Sequence, residues 1–262
     1  DRNMREAENI YFVEQAMAMD QVDSEEETQA VLAAMSKLTD ADFESAILYE
    51  ENSQRDIPGA HVVLLNDNGT SRARAYGYES EEYYTRGMIV ECDGQRNYFD
   101  YCWNKNNGSV ELYQGDYDYD GTDELCLCMS GADGTGVSVE RLIIFEKSPE
   151  GNGLSSYEFS REIQQIKSKL FIGIDADTGS LVIQNESEEV IFELMPDEIT
   201  GDKLLGIDCF NQVKFDVEDG RIWMTIDIGI WHEGQWIGFF LPDDRGTMHF
   251  EVAYSEGEFS LK

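Results

Sequence analysis

Basic residues are scarce in this chain: 19 Lys and Arg stand against 54 Asp and Glu in 262 residues, a formal net charge of −35. Such a surface repels phosphate backbones and anionic headgroups, which excludes nucleic acid and membrane surfaces as partners. Long apolar runs are missing too. No stretch of 18 apolar residues occurs, so no segment reads as a transmembrane helix. No secretion signal is present and the sequence opens at Asp1 rather than at a methionine. We read it as a mature chain from which a signal or lipid anchor has been removed.

Metal-ligand and nucleophile signatures are also sparse. The three histidines (His61, His232, His249) are scattered and no CxxC pair exists, which excludes zinc ligands at their usual spacing. Five cysteines, an odd number, do not make a disulfide framework. Cys126 and Cys128 fall two apart in an apolar run, so they share one strand face and read as small buried hydrophobes. The glycine-rich stretch Gly131–Gly136 has no following GK[ST] and reads as a loop between strands. No serine sits in GxSxG. With 54 acids on the chain, no particular carboxylate pair can be singled out for glycosidase chemistry.

The patterning that is present divides the chain in two. Residues 1–56 read as a helical N-terminal segment. Met4, Ala7, Ile10, Tyr11, Val13, Ala16 and Met17 recur near helical spacing. A second helix begins after Ser24, with Glu27 three residues on as a capping box. A third, capped by Thr39 or Asp40, runs through Phe43, Ile47 and Leu48. From residue 57 to 262 short β-rich runs alternate with turns such as Asn66-Asp67-Asn68-Gly69, Asp93-Gly94 and Asp219-Gly220. One helical interruption is expected over 158–170, and one long strand over Ile222–Ile230. The fold class is therefore α+β. A helical segment is followed by a mostly antiparallel β domain, built as a sandwich, a barrel-like sheet or propeller-like blades, with one inserted helix.

Chemistry is stated at one place, Gly115-Asp116-Tyr117-Asp118-Tyr119-Asp120-Gly121-Thr122-Asp123-Glu124-Leu125. Alternate carboxylates in a tight turn can point inward together around a hard cation, and Ca²⁺ takes six to eight oxygens at flexible geometry. Asp116, Asp118 and Asp120 take loop positions one, three and five. Gly121 permits the reversal, Thr122 offers its carbonyl at position seven, and Glu124 closes the shell at position nine. Tyr117 and Tyr119 point the other way. Position twelve is Leu127 in a strand-like run, which excludes an EF-hand. The half-motif Asp175-Ala176-Asp177-Thr178-Gly179 lacks a third Asp and reads as a plain hairpin turn.

On these residues the loop resembles the DxDxDG calcium loop of FG-GAP/VCBS repeats, which occur in integrin α-chain propellers and many secreted bacterial proteins. The resemblance covers residues 113–130, a single copy. It implies Ca²⁺ held by Asp116, Asp118, Asp120, the Thr122 carbonyl and Glu124, where the family mostly carries Asp. The following stretch GADGTGVSVERLIIFE is similar to secreted or surface-anchored Gram-positive bacterial proteins bearing one such loop.

Two aromatic groups have two readings, as core or as a glycan-stacking platform. One is Tyr83, Tyr84, Tyr98, Phe99, Tyr101 and Trp103. The other is Trp223, Trp231, Trp236, Phe239 and Phe240, with Trp236 beside the hairpin tip Glu233-Gly234. The expected role is an extracellular or surface-anchored, non-enzymatic binding protein with a structural calcium loop and a glycan or protein ligand. The alternative is a secreted glycan or cell-wall hydrolase.

Overall fold

The computed structural model describes residues 4–6, 10–12, 25–48, 61–66, 72–81, 85–103, 110–134, 137–148, 151, 153–159, 166, 168–195, 205–208, 212–227, 229–232, 235–238 and 247–262. In chain order the elements are β1 (Met4–Glu6), β2 (Ile10–Phe12), α1 (Glu25–Met35), α2 (Asp40–Glu44), β3 (Ile47–Leu48), β4 (His61–Asn66), β5 (Ala73–Glu79), β6 (Arg86–Cys92) and β7 (Gln95–Cys102). Then come β8 (Val110–Gly115), β9 (Glu124–Gly134), β10 (Val137–Lys147), β11 (Leu154–Glu158), β12 (Leu170–Asp175), β13 (Leu181–Asn185) and β14 (Val190–Leu194). The last are β15 (Leu205–Asp208), β16 (Gln212–Glu218), β17 (Arg221–Asp227), β18 (Gly229–His232), β19 (Gln235–Gly238), β20 (Thr247–Ser255) and β21 (Glu258–Leu261). The fold is α+β and mostly antiparallel, and its sheets are open, with no closed barrel among the described residues.

The central sheet runs β21-β20-β17-β16-β10-β9-β8, with β11 also on β10. Its middle strands read as unbroken apolar runs, Leu125–Met129 and Leu142–Phe145, because both of their faces are covered. Leu125, Leu127, Met129, Ile143 and Phe145 pack against the sheet β3-β4-β5-β6-β7 through its Ala73, Ala75, Met88 and Val90. Cys126, Cys128, Leu142 and Ile144 face the opposite way, into a core shared with Leu181 and Ile183 of the sheet β1-β12-β13-β14. Strands β16, β17 and β20 instead alternate, burying Val213 and Phe215, Ile222 and Met224, and Phe250 and Val252. Helices α1 and α2 cover the outer face of the five-stranded sheet, with Val31, Met35 and Phe43 on Tyr76, Tyr78 and Ile89. The order of layers is helices, five-stranded sheet, central sheet and the sheet β1-β12-β13-β14, and a second four-stranded sheet runs β19-β18-β15-β2.

Close packing decides individual residues. A methyl at Gly77 would stand 2.4 Å from the Trp103 indole. That ring is 3% exposed and donates its Nε1–H to the Tyr78 carbonyl at 3.2 Å. Phe99 packs on Phe145 with ring centroids 4.8 Å apart, and Trp223 is half-buried on β17. Trp231 and Trp236 are register partners on β18 and β19. Their side chains, and those of Tyr83, Tyr84, Phe239 and Phe240, lie outside the described residues.

Several expectations are corrected. Met4–Glu6 and Ile10–Phe12 are strands, not helix: β1 pairs antiparallel with β12, and β2 pairs parallel with β15. Remote strands fix their conformation over the local 3.6-residue pattern. The expected third helix stops at Glu44, and Ile47–Leu48 pairs parallel with β4. Its start matches, with the Thr39 N–H donating to the Asp42 carboxylate at 2.7 Å. The stretch Ile222–Ile230 is two strands in two sheets. The glycine-rich connection is strand as far as Gly134, in register with Val137. Of the helix expected over 158–170, Ile166 and Ser168 are helical and residues 160–165 and 167 lie outside the described set. So do Cys209 and residues 67–71 of the Asn66–Gly69 turn and its exit.

Candidate metal centre

The Asp-rich loop joins β8 to β9, whose last register pair is Gly115 with Glu124. It is a strand–loop–strand unit. Tyr117 anchors it: the side chain is 5% exposed and belongs to the core beneath the central sheet. Two residues later Tyr119 turns outward, 71% exposed, with φ 64°. Gly121 has φ 91° and open space where a Cβ would be, so its glycine serves the backbone reversal and not packing.

Backbone amides tie the loop to its own carboxylates. Asp116 Oδ2 accepts from the Gly121 N–H at 3.0 Å, and Asp118 Oδ1 from the Asp120 N–H at 3.0 Å. Asp120 Oδ1 accepts from the Thr122 N–H at 2.6 Å. These bonds turn the three side chains to one side. Asp116, Asp118 and Asp120 each bring one oxygen within 4.8 Å of the others. Asp116 Oδ1 is buried without a hydrogen-bond partner. Like charges at such distances repel by roughly 1 kcal/mol in water and about 4 kcal/mol at the effective dielectric of a protein surface. A divalent cation placed among the three would offset that repulsion and accept a lone pair from Asp116 Oδ1.

Glu124 lies outside that group of three. Its side chain is 3% exposed at the base of the loop, and Oε2 accepts from the Tyr117 N–H at 2.8 Å. Burial, and then the charges of Asp118, Asp120 and Asp116, push its carboxyl up to about 7 against the relief given by Tyr117. Asp118 is also shifted upward, by burial first and then by Asp120, Asp116 and Glu146. Of the five residues read from the sequence, three converge as side chains. Thr122 sits on the loop with its N–H engaged, and Glu124 stands behind.

Glu146 on β10 had no signal in the sequence. It lies more than twenty residues away along the chain, yet its charge acts on Asp118, and its Oε2 accepts from the Tyr254 hydroxyl at 3.0 Å. The half-motif at Asp175 is a hairpin turn between β12 and β13, with Asp175 Oδ1 accepting from the Asp177 N–H at 2.9 Å. Cys126 and Cys128 are buried in the core, as expected. No protein-family model matches the chain, and no curated protein and no solved structure matches it.

Proposed function

We propose that the loop Asp116–Glu124 is a calcium site that braces the β8–β9 hairpin of an extracytoplasmic, non-enzymatic binding protein. The observation that carries this reading is the buried, partnerless Oδ1 of Asp116 beside the carboxylates of Asp118 and Asp120. Hard oxygens alone, with no histidine or thiolate in the group, suit Ca²⁺ better than zinc or copper. The loop joins the edge strand β8 to the interior strand β9 of the central sheet, so the ion's role is to hold the edge strand to its neighbour. Sites of this kind in extracellular modules bind at about 10⁻⁴–10⁻³ M, which matches calcium levels outside the cell. The partner of such a protein would be a surface glycan or another protein.

The test is a thermal melt with and without millimolar Ca²⁺. At millimolar Ca²⁺, about 1–10 times such a Kd, the ion adds roughly 0.4–1.4 kcal/mol, or about 1–6 °C for a chain of this size. Asp118→Ala and Asp120→Ala should each abolish the rise. A wild-type midpoint unmoved by Ca²⁺ would sink the proposal, and robust turnover on a glycan panel would replace the non-enzymatic part.

A further inference from the structure

A groove runs along the edge where the five-stranded sheet meets the central sheet. It consists of two adjoining hollows of about 350 and 270 Å³ that share Cys92, Asp93, Lys147 and Leu154. That size is at the lower end for small-molecule sites, about 300–1,000 Å³. One end is walled by Gln114, Thr122 and Asp123, the other by Gln95, Asn97 and Ser148. Leu154, half-buried, supplies apolar surface at the floor, with Leu125 and Phe145 buried beneath it.

The groove gathers two of the few bases on the chain. Carboxylates outnumber bases almost threefold. Accordingly Arg86, Arg96, Arg141 and Arg221 each hold a carboxylate. Arg72 and Lys147 hold none within 4.0 Å among the described residues, and both are exposed and line this groove. Two cations left unpaired on an acidic chain, at one concave place, are available to an anion. Asp93 and Asp123 balance them locally, so the groove is near neutral on a strongly negative chain, and the Debye length of about 8 Å at physiological ionic strength screens the more distant carboxylates.

The remaining lining narrows the ligand. Asp123 accepts from Gln114 Nε2 at 3.0 Å and keeps acceptor capacity, and Asp93 offers a second exposed carboxylate. A simple anion would gain nothing from them. A polyhydroxylated ring would, since it donates hydroxyls to carboxylates, lays its C–H face on Leu154 and offers its own carboxylate to Arg and Lys. We propose that this groove binds a uronic-acid sugar, with Arg72 and Lys147 holding the sugar carboxylate. The inference does not rest on calcium binding.

The experiment is calorimetric titration of the full chain, in EDTA, with D-glucuronate, D-glucose and inorganic phosphate. Glucuronate should bind saturably at millimolar concentration or below, and glucose and phosphate at least about tenfold more weakly. The double variant Arg72→Gln, Lys147→Gln should lose at least about tenfold in glucuronate affinity with an unchanged melting midpoint, since both side chains are exposed. No saturation by glucuronate, equal binding of phosphate, or undiminished affinity in the double variant would each overturn the proposal.

Discussion

In protein stripped of divalent ions the Glu124 carboxyl holds its proton up to about 7, where a glutamate's ordinary value is 4.5. The folded state then binds more protons than the unfolded state between those two values. Stability therefore falls as pH rises through that window and stays low above it. Glu124→Gln keeps an acceptor for the Tyr117 N–H and removes the charge. In EDTA this variant should melt higher than wild type at pH values above about 7, and the two should converge towards pH 4.5. Parallel melting curves across the range would show that burial of this carboxylate costs the fold nothing. At the scale of residues the loop was legible because alternating Asp residues and a glycine are a local code. Asp116, Asp118 and Asp120 converge through bonds spanning five residues or fewer. Glu146 was not legible, because only sheet pairing brings it near, and Glu124 could be placed in the loop but its burial could not.

At the scale of elements, a polar junction helps fasten α1 to its sheet. Arg86 on β6 makes a bidentate pair with Asp100 on β7, at 2.7 and 2.6 Å, and the Thr28 hydroxyl of α1 donates to the same carboxylate at 2.6 Å. The Arg and Asp side chains are 14% and 12% exposed. Removing one partner of so enclosed a pair leaves the other charge stranded, so Arg86→Ala should cost about 3 kcal/mol in urea unfolding. Arg86 holds the Asp100 carboxyl below its ordinary 3.8. Its contribution is therefore complete above that value and lost as pH falls through the lowered one, a loss absent from Asp100→Asn. The interior strands were legible in the sequence because apolar runs and turn residues mark them, as in β9, β10 and the Asp93-Gly94 hairpin. The ends were not. Met4–Glu6 and Ile10–Phe12 are three residues each and take their strand character from partners far away in the chain, and Ile47–Leu48 is too short, at two residues, to show a pattern of its own. The break between β17 and β18 is likewise a change of sheet that no local pattern announces.

At the scale of the molecule, a net charge of −35 stores self-repulsion that salt should relieve. Monovalent salt should raise the melting midpoint steadily as the Debye length shortens from about 30 Å at 0.01 M to about 3 Å at 1 M. Ca²⁺ should add a further step that Mg²⁺ at equal ionic strength does not match, because Mg²⁺ demands stricter octahedral geometry and sheds water reluctantly. Identical curves for the two ions would reduce the loop to general screening.

The sheet order also has a bearing on synthesis. The five-stranded sheet and its helices pair strands that lie near one another in sequence, so this layer can close while the rest of the chain is still being made. Met4–Glu6 must wait for Asp175, and Ile10–Phe12 for Leu205–Ile207. Both segments leave the ribosome long before the strands they pair with. A chain stalled before residue 205 would carry an N-terminal strand with no edge to join.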